Sequence, residues 1–148
     1  MLETSVEDFV SRYREDAAEG ELYPQPEGSP LMEFVSGGRA LYLFDRTGPY
    51  TARPGPARVI VHATMSTFER LDVGSQAMQA QLSLVGVSGA QGVGQVTRLV
   101  SAYTVVVGAR LPLVLSSFER LPALKVGDWL SFETQPPLHG FLVPENGR

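Results

Sequence analysis

The sequence predicts a mainly β domain, a small β-barrel or barrel-like sheet, with one amphipathic helix at its N-terminus. Three observations carry this prediction. Helical spacing of apolar residues is confined to the start of the chain. From Ala57 onward, runs rich in β-branched and aromatic residues alternate with glycine and proline, the texture of strands and turns. Six or seven such runs fall at short spacing within 148 residues, which suggests a barrel or a sandwich.

Residues 1–20 form the expected helix. In "TSVEDFVSRYREDAAEG", Thr4 stands as N-cap with Glu7 three residues on, and Val6, Phe9, Val10, Tyr13 and Ala17 make one apolar stripe that Gly20 would stop. Residues 21–38 carry Pro24, Pro26 and Pro30 and read as an extended connector, closed by a Gly37-Gly38 turn. Residues 39–148 are the barrel body of what is expected to be a single domain.

Within that body "RALYLFD" reads as a strand and "RTGPYTARPGPAR" as an exposed loop. The segments "ARVIVHATM", "AMQAQLSLVGV", "GQVTRLVSAYTVVVG", "ARLPLVL", "DWLSFET" and "LHGFLV" read as further strands. "TRLVSAYTVVV" is apolar enough to be buried on both faces. "GVSGAQGVG" has the glycines of a phosphate loop but neither its Lys-Ser/Thr end nor a following helix, so it is expected to be a hairpin connection. "LKVGDWLSF" resembles the hydrophobic-Gly-Asp turn that leads into a strand of OB-like and cradle-loop barrels, a generic likeness over nine residues.

The chain also repeats itself. "STFERLDVG" at Ser66–Gly74 and "SSFERLPALKVG" at Ser116–Gly127 extend upstream, where Arg58, Val59, Val61 and Ala63 align with Arg110, Leu111, Leu113 and Leu115. Duplication of a half-barrel over 57–86 and 109–140 and chance both remain open. In each copy Ser and Glu have capping-box spacing (Ser66 with Glu69, Ser116 with Glu119), which predicts a capped helical turn between two strands.

Composition bounds the chemistry. There is no cysteine and there are two histidines, so neither a metal site nor a thiolate nucleophile is expected, and no cofactor motif is present. No apolar run is long enough for a membrane helix and no basic leader precedes one, so no membrane partner and a cytoplasmic location are expected. The net charge of −4 divides into −7 over residues 1–33 and +3 over residues 34–148, an acidic head on a mildly basic body.

Catalytic candidates are weak. Glu69 and Glu119 would make a carboxylate pair only if a pseudo-two-fold axis joined them, and His62, with Ser66 and Asp72 nearby in sequence, belongs to no recognised triad motif. Activity as an enzyme is therefore not the leading expectation. The more suggestive stretch is Tyr42, Phe44 and Arg46, which share one strand face, followed by Tyr50, Arg53 and Arg58. Aromatics interleaved with arginine can stack bases and neutralise phosphates. The sequence thus points to a non-enzymatic binding or accessory protein, with single-stranded nucleic acid as the expected partner on those six residues. The alternatives are a protein-interaction or homo-oligomerisation module, and a small-ligand binder or enzyme using the barrel mouth.

Overall fold

The computed structural model describes residues 5–47, 53–72 and 78–144. Among them are one α-helix, α1 (Val6–Tyr13), and nine strands in a single sheet. In chain order the strands are β1 (Ala18–Leu22), β2 (Leu31–Ser36), β3 (Arg39–Asp45), β4 (Gly55–Leu71), β5 (Gln81–Val85), β6 (Gly89–Leu99), β7 (Thr104–Gly108), β8 (Pro112–Ser116) and β9 (Trp129–Leu142). They run side by side in the order β1-β2-β3-β9-β4-β8-β7-β6-β5, and extra pairings β1–β4 and β9–β6 close a ring of eight strands. The mainly β, barrel-like expectation with an N-terminal helix holds.

Strands β4 and β9 are the axis of the fold. They pair antiparallel from Val59↔Leu142 to Leu71↔Trp129, and each reaches outward to further strands. β4 meets β1 antiparallel and β8 parallel; β9 meets β3 parallel and β6 antiparallel. The ring interior is filled by apolar side chains from every strand, among them Phe34, Leu41, Leu43, Val61, Val107, Leu115 and Leu130.

The helix packs on the outside of this ring. Its buried stripe, Phe9, Val10 and Tyr13, covers Ile60, Val106, Val114 and Phe141 from β4, β7, β8 and β9. Those strands are therefore buried on both faces, as Val105, Val106 and Val107, all 0–1% exposed, make plain. The expected helix is right in its apolar stripe but too long. Ser5 caps it, its Oγ accepting from the Asp8 N–H at 3.0 Å, while Thr4 lies outside the described residues. A 3-10 turn at Arg14–Asp16 then leads directly into β1. Gly20 does not stop a helix. It lies within β1, where a Cβ would fall on the carbonyl oxygen of Val35.

Other boundaries also move. The connector expected over 21–38 contains the end of β1 and all of β2, because Leu22, Met32 and Phe34 are core residues and their backbones pair. "GQVTRLVSAYTVVVG" is two strands with a turn at 100–103, and the last two expected strands are the single strand β9. The hairpin at "GVSGAQGVG" is present: β5 and β6 join through Gly86, at φ 64°.

The repeated segments part company. β4 and β8 lie in parallel with Ala63 opposite Leu115, so the upstream halves are in the same register in space as in sequence. Neither "FERL" is a capped helical turn. Ser66–Leu71 continues β4 as strand, with Ser66 Oγ donating to the Glu133 carbonyl at 3.0 Å. Residues 117–121 are irregular, with the Glu119 N–H on Ser117 Oγ at 3.1 Å. The difference comes from the partner: β9 pairs residues 67–71, whereas 117–121 pair with no strand among the described residues and bond instead to the carbonyls of Tyr103 and Ala102.

Candidate ligand-binding face

The outer face of β3, β9 and β4 beside α1 brings together residues far apart in sequence. β3 points Leu41, Leu43 and Asp45 inward, all buried, and turns Tyr42 and Phe44 outward. Phe44 pairs with His139, and His139 is also directly opposite His62. The Arg46 N–H donates to the Gly140 carbonyl at 2.9 Å, continuing the β3–β9 pairing by one residue and aiming the Arg46 side chain over β9.

There Arg46 Nη1 donates to His139 Nδ1 at 2.8 Å, and its guanidinium carbon lies 5.6 Å from the Phe141 ring centre. Because arginine has no acceptor, His139 must present a bare Nδ1 and is the neutral, Nε2-protonated tautomer. Its pKa is lowered by burial and by the Arg46 charge. His62, deeper in the face, is lowered to about 4, first by burial, then by His139 and Arg46. The two rings meet edge-on at 6.0 Å, and Phe9 of α1 stands edge-on to His62 at 5.3 Å.

The polar row continues across two further strands. His62 Nε2 and Ser116 Oγ are 3.0 Å apart, and Ser116 Oγ is 3.1 Å from Thr104 Oγ1. A serine beside a histidine is the start of a nucleophilic pair, but a histidine so depressed is a poor base at neutral pH. Among the described residues no carboxylate contacts its other nitrogen. The row satisfies buried polar groups under the helix rather than activating a hydroxyl.

The expected site residues are thus sorted. Phe44 (38% exposed) and Arg46 stand together on the surface, with Tyr42 half-buried beside them and Arg53 exposed. Arg58 is taken up elsewhere: its Nη2 donates to the Arg14 carbonyl at 2.8 Å, tying β4 to the end of the helical segment. Tyr50 lies outside the described residues. Ser66 and Asp72 do not join His62, since Ser66 holds Glu133 and Asp72 pairs with Arg70 at 3.7 Å. Glu69 lines an outer groove of about 390 Å³ that Glu119 does not reach. His139 is mid-strand in β9 and central to the face, a role the sequence did not indicate; its cue is the Phe44–His139–His62 register alone.

Among the described residues no three histidines, cysteines or acids are grouped to hold a metal, and no helix is long and apolar enough to cross a membrane. Set against known protein families, characterised proteins and solved structures, the chain matches none.

Proposed function

We propose that the protein binds single-stranded nucleic acid on the outer face of β3 and β9, with Phe44 stacking a base and Arg46 meeting a phosphate. One observation carries this: Arg46 is held by a neutral nitrogen of His139, and no carboxylate lies within ion-pair distance of it among the described residues. Its charge is therefore oriented yet uncompensated, beside an exposed aromatic ring. The test is fluorescence anisotropy with labelled oligothymidylate and oligouridylate over a salt series. Binding at low salt should weaken as salt rises, and Arg46→Gln should lower the salt slope by about 0.7, one single-strand phosphate contact. Arg70→Gln, on an arginine already paired with Asp72, should leave binding unchanged. Absence of binding at low salt overturns the proposal.

A second reading rests on β5. Among the described residues this strand pairs only with β6, and Leu84, Val85 and Val87 at its end are exposed. Arg39 Nε already donates to the Leu82 carbonyl at 2.7 Å, and the apolar end beyond it favours pairing with a second copy of the chain. Light scattering that finds only monomer at high concentration removes this reading.

A further inference from the structure

On the other half of the sheet, beyond the reach of α1, strands β4, β9, β6 and β5 present an outer groove of about 390 Å³. The register explains its shape. Ser131 and Val93 lie opposite each other in β9 and β6, and their short side chains make a floor. That row is closed at one end by Gln81 of β5, opposite Val93, and at the other by Glu69 of β4, opposite Ser131. Two residues further along the strands, Gln91 and Glu133 stand opposite each other and form a wall. Four long planar side chains thus border Val93 and Ser131, with the short Ser83 and Thr67 beyond Gln91 and Glu133. Its volume falls within the usual range of small-molecule sites, about 300–1,000 Å³.

The four rim groups are two carboxamides and two carboxylates, and among the described residues none of these side chains is in a hydrogen bond or ion pair with another. They offer donors and acceptors in mixture, which matches hydroxyl groups, each of which both donates and accepts. An anion would meet two carboxylates and no cation. A small cation would use only the acceptors, and among the described residues no three acids or histidines are grouped to hold one. The apolar Val93 floor can take the C–H face of a ring whose edge bears the hydroxyls.

We propose that this groove is a binding site for a neutral polyhydroxylated ligand, a saccharide, with Glu69, Glu133, Gln81 and Gln91 as the hydroxyl-reading groups. It is independent of the Arg46 face, from which it differs in charge and location. The test uses the full-length protein, recording amide NMR spectra during titration with glucose, cellotetraose, maltotetraose and chitotetraose. Expected is saturable movement of the Gln81, Gln91 and Ser131 amides by at least one of these, weakened about tenfold or more in Glu69→Ala and in Gln91→Ala. All of these residues are exposed or half-buried on the outer face, so both variants should keep the wild-type spectrum elsewhere. No saturable shift with any of the four sugars overturns the proposal, as does a shift that both variants retain. Movement of the same amides by calcium chloride or a lysine-rich peptide, with none by the sugars, likewise overturns it.

Discussion

His62 and His139 are direct partners across β4 and β9, and their rings meet edge-on at 6.0 Å beneath α1. Neither can take a proton cheaply, because Arg46 already lies against His139 and Phe9 against His62. The folded protein therefore holds His62 at a pKa of about 4, below its ordinary 6.5. A depressed histidine makes the unfolded chain the better proton acceptor, so stability is full above pH 6.5 and falls as pH drops toward 4, levelling off below. The span corresponds to roughly 3 kcal/mol from this residue, at about 1.4 kcal/mol per pH unit. Urea unfolding at a series of pH values should give this slope in the wild type and a shallower one in His62→Gln. Equal slopes would mean that other groups set the acid response.

Phe9 is the contact that covers His62. It stacks on Phe141 at 4.1 Å, tilts against Tyr13 at 4.6 Å and edges onto His62. Phe9→Ala should cost about 3–5 kcal/mol, as for other large-to-small changes in a packed cluster. It should also let water reach His62 and raise its pKa toward 6.5, which the imidazole NMR signals would report. Loss of stability without movement of that pKa would separate helix docking from histidine burial.

How much of this was legible depends on how local the causes are. The helix stripe at Phe9, Val10 and Tyr13, the "RALYLFD" strand and the β5–β6 hairpin follow from periodicity and turn residues within a few positions. β1 and β2 were hidden by Gly20 and by the prolines between them, Pro24, Pro26 and Pro30, since only pairing with β4 and β3 makes strands of them. The two "FERL" copies make the same point: one local sequence is strand where β9 is beside it and irregular where it is not. The face around Arg46 was half visible, as Phe44 and Arg46 share a strand pattern. His139 and Ser116 enter only through long-range register, which no short stretch encodes.

Arg98 and Asp16 should prove a structural tie. Arg98 Nε donates to Asp16 Oδ1 at 3.3 Å and Nη2 to Oδ2, a two-pronged bond joining β6 to the turn after α1. Asp16 is nearly buried, its side chain 11% exposed, while that of Arg98 is 42% exposed and its guanidinium lies 5.7 Å from the Tyr13 ring centre. The pair is more than a solvated surface contact yet not a fully buried one. Asp16→Asn should therefore destabilise by about 1–2 kcal/mol, with oligonucleotide binding unchanged. Thermal unfolding alongside anisotropy would check both parts; a change in binding would mean that the tie positions the Arg46 face.

The acidic head bears on the proposed nucleic-acid face through α1. Phe9 stacks on Phe141, and Arg46 sits by the same Phe141 ring, so the helix and the arginine share one region of the outer surface. Glu7 and Glu15 are exposed on the helical segment and, as part of the acidic head, should repel a polyanion approaching the Arg46 face. Removing residues 1–20 is no clean test, because it would uncover Ile60 and Phe141 and take away most of β1. Replacing Glu7 and Glu15 with glutamine leaves the packing intact. Two unit charges about 10 Å apart in water interact by about 0.4 kcal/mol, so each substitution should strengthen oligonucleotide binding by at most about twofold at low salt. The gain should fade near physiological salt, where the screening length is about 8 Å. Unchanged or weaker binding by the double variant would show that the head does not compete for this face.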